Sequence, residues 1–99
     1  MSFVTTQPEA LIAAAGNLTA IGSAMTESNS AAAEPTIGLA PAAADEVSAV
    51  TAAAFTAHGM LYQEVSAQAA AIHQLFVATM QASAGSYAAT EAANAAAAR

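Results

Sequence analysis

The sequence predicts an all-α fold, an antiparallel two-helix hairpin, on three observations. Alanine fills 33 of the 99 positions, and alanine is the strongest helix former. Apolar residues recur at steps of three and four over two long stretches, which is the period of a helix and not of a strand. Between those stretches Pro35, Gly38 and Pro41 gather in one short interval, as a connection requires.

The first helix is read over residues about 8–33. In Thr6-Gln7-Pro8-Glu9, Thr6 suits a cap, Glu9 three residues on completes a capping box, and proline is tolerated in a first turn. Its apolar line is Leu11, Ala14, Leu18, Ile21 and Met25. Gly16 and Gly22 each weaken the helix by about 1 kcal/mol relative to alanine. They fit either open surface positions or a close helix approach, which a missing side chain permits. Beyond Met25 the run Thr26-Glu27-Ser28-Asn29-Ser30 is polar, so the last turns have little to bury and are expected to be weakly held.

The connection is read over about 34–41, with Ile37 and Leu39 as its large apolar residues. They either close the end of the helix pair or offer a docking point. The second helix is read over about 42–84, with Pro41 at its entry and Asp45 and Glu46 complementing the positive end of the helix dipole. At roughly 40 residues it outruns the first helix by several turns, about 60 Å against 39 Å at 1.5 Å per residue, and the overhang needs something else to pack on. Gly59 marks a close crossing, a slight bend or a tolerated glycine.

Two apolar lines run along the second helix. Phe55, His58, Tyr62, Val65, Ala69, Ile72, Phe76 and Thr79 form one; Val47, Val50, Ala54, Ala57, Leu61, Gln68 and Leu75 form the other, part of a turn away. Together they are wider than the narrow stripe one antiparallel neighbour covers. Trp and Cys are absent, and three Phe and two Tyr are the aromatic complement, so the core available to one copy is thin. Each buried large apolar side chain contributes about 1.5–3 kcal/mol, while ordering costs about 1.5 kcal/mol per residue. The second helix is therefore expected to touch more than one neighbour, with Leu11, Leu18, Ile21 and Met25 of the first helix and Val50, Phe55, Tyr62, Val65, Ile72 and Phe76 of the second supplying the hairpin and partner seams.

Composition excludes several functions. Seven acids against the lone Arg99 give a net charge of −6, which leaves no basic patch for nucleic acid and disfavours anionic lipid headgroups. Without cysteine there is no disulfide and no thiolate metal site. His58 and His73 stand fifteen residues apart, about 22 Å along a helix, too far to share a metal. Glu64 is six residues from His58 and nine from His73, so neither ring has a carboxylate one turn away. His58 is read as packing on the apolar face with its polar tip at the rim, His73 as facing solvent. No phosphate loop, paired-acid motif or nucleophile elbow appears, and no enzyme, cofactor or metal is expected. The segment 1–7 lacks the basic and apolar regions of a cleavable secretory signal, and the uncharged interval 65–90 carries too many Ser, Gln and His to span a membrane.

Pro8-Glu9 near the start, a helix-turn-helix of this length, the Pro-Ala-Ala-Ala-Asp-Glu-Val-Ser run at 41–48, and Tyr87 four residues before Glu91 together resemble the mycobacterial PE proteins over essentially the whole chain. No glycine-rich or enzymatic segment follows, so the resemblance is to the short form, a single PE domain over 1–99. It implies pairing with a PPE protein, two helices from each making an elongated four-helix bundle, and export of the pair by a type VII secretion system. A secretion chaperone would be met through the PPE partner. In this setting Tyr87 and Glu91 match the family's Tyr-x-x-x-Asp/Glu secretion signal, carried in a tail of residues 85–99 that alanine favours as helix but that lacks a packing face beyond Tyr87. The product would act outside the cell or at the cell envelope. Arg99 departs from the small or polar endings of the family. An alternative from the same resemblance is an envelope or outer-membrane component that, with its PPE partner, influences solute passage or host interaction; the acidic sequence gives membrane association little direct support. A homodimer is a third reading, because apolar stripes do not name their complement.

Overall fold

A computed structural model of the chain describes residues 4–99. Two long helices, α1 over Pro8–Ile37 and α2 over Glu46–Ala97, pack as a hairpin, and among the described residues there is no strand. Residues 1–3, part of the segment read above as lacking a secretory signal, lie outside the described residues.

The start of α1 differs in its cap. Pro8 occupies the first helical position, where its missing N–H costs nothing, and the Gln7 carbonyl accepts from the amides of Ala10 at 3.0 Å and Leu11 at 3.4 Å. Thr6 therefore stands one residue before the capping position, and its amide and hydroxyl turn to Glu91 instead of to Glu9. The expected capping box is replaced by a contact to the other end of the chain.

At its other end α1 continues four residues past 33, through Pro35 to Ile37. A proline in the last turn forfeits one intrahelical bond, here to the carbonyl of Ala31, which is an exposed residue. The turn is held by the Thr36 hydroxyl, which donates to Ala32 O at 2.7 Å, and by the Gly38 amide, which donates to Glu34 O at 2.8 Å. The connection is thus 38–45.

Helix α2 starts at Glu46 and not near 42, because Asp45 is its cap. The two Asp45 carboxylate oxygens accept from the Ser48 amide at 3.0 Å and the Ser48 hydroxyl at 2.7 Å. These bonds hold the Asp45 carboxyl below the ordinary carboxylate value. Among the described residues neither Gly85 nor any other has a positive φ, and the alanine-rich segment past 84 continues as helix to Ala97. Thr51, Thr79 and Thr90 return their hydroxyls to carbonyls four residues back, which lets these β-branched residues sit within the helix.

Contacts divide the hairpin into two units, one of the described residues up to Ile21 with His73–Arg99, the other of Gly22–Ile72. In the first, Pro8, Ala15, Val77 and Ala84 are buried, Ala15 and Ala84 with no exposed surface. In the second, Ala52 and Gly59 are buried. Among the described residues no large side chain is fully buried. The seam in each unit is built from small residues, with polar side chains bridging the two helices.

Candidate functional site

In the unit Gly22–Ile72 the residues of α2 nearest α1 are Ala52, Thr56, Gly59, Gln63, Ser66 and Ala70, all buried or half-buried. They follow a four-three step, the seam of two packed helices. At Gly59 the two helices approach closely: a Cβ there would lie 2.9 Å from Thr36 O. Of the readings open for this glycine, close approach is the one found. The polar members bond across the seam. Gln63 Nε2 donates to Asn29 O and the Tyr62 hydroxyl to Asn29 Oδ1, both at 2.8 Å, and Thr56 Oγ1 donates to Ile37 O at 3.1 Å. The polar run after Met25, expected to be weakly held for want of apolar residues, is held through Asn29 by hydrogen bonds.

The large apolar residues of α2 lie off this seam. Tyr62 and Val65 follow Gly59 by three and six residues, hence about 60° and 120° around the helix. Val50, Phe55, Tyr62 and Val65 are exposed, Phe55 at 61%. His58, expected to pack on the apolar face with its tip at the rim, is exposed beside them and lines the groove at the end of α1. Where α1 ends, an open apolar groove of about 400 Å³ is lined by Pro35, Thr36, Leu39, Phe55, His58 and Tyr62, with Gly59 among its walls. Ile37 is half-buried and closes the helix pair, while Leu39 is exposed on the groove, so the two residues divide the roles between which the sequence left a choice.

In the other unit Leu11 and Leu18 are half-buried and Ile21 is exposed. Met25, in the unit Gly22–Ile72, is exposed as well. Phe76 turns outward beside the buried Val77 and is 54% exposed, and Ile72, which closes the other unit, is 68% exposed. Thus eight of the ten residues assigned to the hairpin and partner seams, all but Leu11 and Leu18, are exposed in the single chain, and of these Tyr62 still reaches α1 through its hydroxyl. Of the side chains that bridge, Tyr62 lies on an expected apolar line, while Thr56, Gln63 and His73 do not. His73, expected to face solvent, is half-buried with Nε2 2.6 Å from Leu18 O; because a carbonyl only accepts, this nitrogen carries the proton. Gly16, by contrast, has open space where a Cβ would stand, so of its two readings the open surface position is the one found.

Near the end of α2, Tyr87 is exposed and Glu91 half-buried. Glu91 Oε1 accepts from the Thr6 amide at 2.8 Å and from the Thr6 hydroxyl at 3.0 Å. The tail expected to lack a packing face is therefore helical and tied to the segment before α1. Of the pair Pro8-Glu9, Pro8 is buried and Glu9 exposed. Among the described residues no cluster of three or more His, Asp or Glu converges as a metal site, and no helix is long and apolar enough to cross a membrane.

The profile of the PE family matches residues 4–94. The chain is 64% identical over 98 residues to PE family protein PE13 of Mycobacterium tuberculosis, covering 99% of both sequences. It is 57% identical to PE family protein PE8 of the same organism over 99% of this chain and 36% of that protein. With PE-PGRS family protein PE_PGRS33, also from M. tuberculosis, it shares 57% identity over 97% of this chain and 19% of the relative. The matched region therefore stands as nearly the whole of one relative and as a fraction of longer ones. The hairpin, the placement of Pro8 and the end-to-end matches agree: the chain belongs to the PE family.

Proposed function

We propose that this chain is the PE subunit of a heterodimer with a PPE protein, and that it presents Tyr87 and Glu91 as an export signal to a type VII secretion system. The observation that carries the reading is the outward direction of the large apolar residues. The hairpin covers small side chains with small side chains and leaves Phe55, Val65, Ile72 and Phe76 largely exposed, with the ring of Tyr62 half exposed beside them. Stripes of this kind are what a second pair of helices covers in a four-helix bundle. The product is a non-enzymatic interaction protein, active outside the cell or at its envelope.

The test is co-expression with PPE-family proteins, followed by size-exclusion chromatography and unfolding of the complex. Phe76→Ala is expected to change the stability of the lone chain by less than about 1 kcal/mol, as for a side chain largely outside the core, and to weaken the complex by 2 kcal/mol or more, as for a central interface aromatic. Equal, small effects on both would refute the assignment of this face. A stable homodimer in place of a PPE complex would favour self-association, and flotation of the pair with lipid vesicles would favour the envelope reading.

A further inference from the structure

The two donors that Thr6 directs at one oxygen of Glu91 distinguish this contact from the others in the hairpin. The remaining cross-helix bonds join side chains to neutral acceptors. This one joins residues 85 apart in sequence and engages a carboxylate with an amide and a hydroxyl from the same residue, the charge-assisted kind that is about twice as strong as a neutral bond. Its position matters as much as its strength. After the fully buried Ala84, residues 85–90 are exposed, Glu91 is half-buried, and residues 92–99 are exposed again. Tyr87 thus stands on a span of α2 held at Ala84 on one side and at Glu91 on the other. A carboxylate occupied by the protein's own Thr6 is also poorly placed to serve as the surface another protein reads.

We infer that Thr6 is a positioning residue of the export signal, and that Glu91 acts in that signal through its bond to Thr6, fixing the helix that displays Tyr87. The inference rests on the export-signal reading above. It makes the signal composite, assembled from the segment before α1 and the end of α2, so that an incompletely folded hairpin does not present it.

The experiment compares export of the chain with its PPE partner from a mycobacterium competent for type VII secretion, using Thr6→Asp, Thr6→Ser, Glu91→Gln, Tyr87→Ala and the double variant of Thr6→Asp with Glu91→Gln, with retention of the partner complex checked for each. Thr6→Asp sets two carboxylates against each other and should reduce export to the level of Glu91→Gln. Thr6→Ser keeps both donors and should be exported as the unchanged protein is. The double variant should be no worse than either single one, since both act on the same contact, Glu91→Gln by removing the charge and Thr6→Asp by removing the hydroxyl donor. In the purified complex, hydrogen exchange at the Thr6 amide should be about tenfold faster or more in Glu91→Gln, reporting the bond without reference to export. Normal export of Thr6→Asp alongside blocked Glu91→Gln and Tyr87→Ala would overturn the inference alone and assign Glu91 to direct reading by the machinery. Normal export of all variants would overturn the signal reading and this inference with it.

Discussion

Alanine at position 59 would place its Cβ 2.9 Å from the Thr36 carbonyl oxygen, 3.2 Å from the carbonyl carbon and 3.3 Å from Thr36 Oγ1. None of these atoms turns aside easily. Two belong to the backbone of the last turn of α1, and the hydroxyl is engaged with the carbonyls of Ala32 and Ala33. The Thr56 bond to Ile37 O holds the same turn from α2. Accommodating the methyl therefore means moving α1 away from α2, and overpacking of this kind costs about 1–3 kcal/mol. Against it stands the gain of about 1 kcal/mol for replacing glycine within a helix. The expected net result for Gly59→Ala is a loss of about 0–2 kcal/mol.

That range is wide because two terms oppose each other, and Gly16 separates them. A Cβ at position 16 meets nothing within 4 Å, so Gly16→Ala in the isolated chain carries the propensity term alone and is expected to stabilise by about 1 kcal/mol. The difference between the variants returns the overpacking term, about 1–3 kcal/mol. Urea unfolding followed by far-UV circular dichroism measures both, provided the dependence on denaturant is unchanged. If Gly59→Ala stabilises as much as Gly16→Ala does, the helices are not in close contact at Gly59 and the small-residue seam is wrong.

Two further outcomes are expected. His73→Phe, which keeps the ring and removes the donor to Leu18 O, should cost about 1 kcal/mol in urea unfolding; no change would mean that the bond contributes nothing. The Asp45 carboxyl is held below its ordinary value by the Ser48 hydroxyl and amide, so its contribution to the α2 start is fully present above the unfolded aspartate value of about 4 and is lost as the pH falls through the lower folded value. Protection of the Ser48 amide against exchange should fall over that acid range, and Asp45→Ala should lack it already at neutral pH; protection in the variant equal to that of the unchanged protein would remove Asp45 as the cap.

Apolar periodicity showed that there are two helices, that they are antiparallel, and that α2 has more apolar surface than a hairpin covers. It does not separate the side chains of the hairpin seam from those left for a partner, because it weights residues by size. Leu11 and Leu18 fit that weighting; Ala15, Asn29, Gly59, Gln63 and His73 do not, and close packing of small residues leaves no such trace in hydropathy. The helix limits were misplaced for local reasons. Pro35 suggests a connection, although the last turn of a helix tolerates it when the orphaned carbonyl is exposed, and Pro41 suggests a helix entry where the Asp45-x-x-Ser48 cap supplies the actual one. In the sequence Thr6 has the look of a cap and Glu91 that of half a signal. Nothing in a linear reading joins residues at opposite ends of the chain.

A seam of alanine and glycine raises a problem that the polar bridges answer. Small side chains bury little area each, at about 25 cal/mol per Å², and small residues repeating along both helices are poor at telling one register from the next. Directional bonds have no such ambiguity. In the unit Gly22–Ile72, Asn29 accepts from both Tyr62 and Gln63 and Ile37 O accepts from Thr56; in the other unit Leu18 O accepts from His73 and Glu91 from Thr6. A slip of either helix by one turn would break the bonds of its unit together, at a cost of about 0.5–1.5 kcal/mol for each bond lost. Register is thereby fixed inside the hairpin by hydrogen bonds, while the large apolar residues, which would supply most of the stabilising area, are left for a partner. This division makes the surface offered to that partner depend on the hairpin being in register. Replacing Asn29 by alanine should therefore weaken partner binding although Asn29 is not among the outward apolar residues, and undiminished binding by Asn29→Ala would show that the partner sets the register itself.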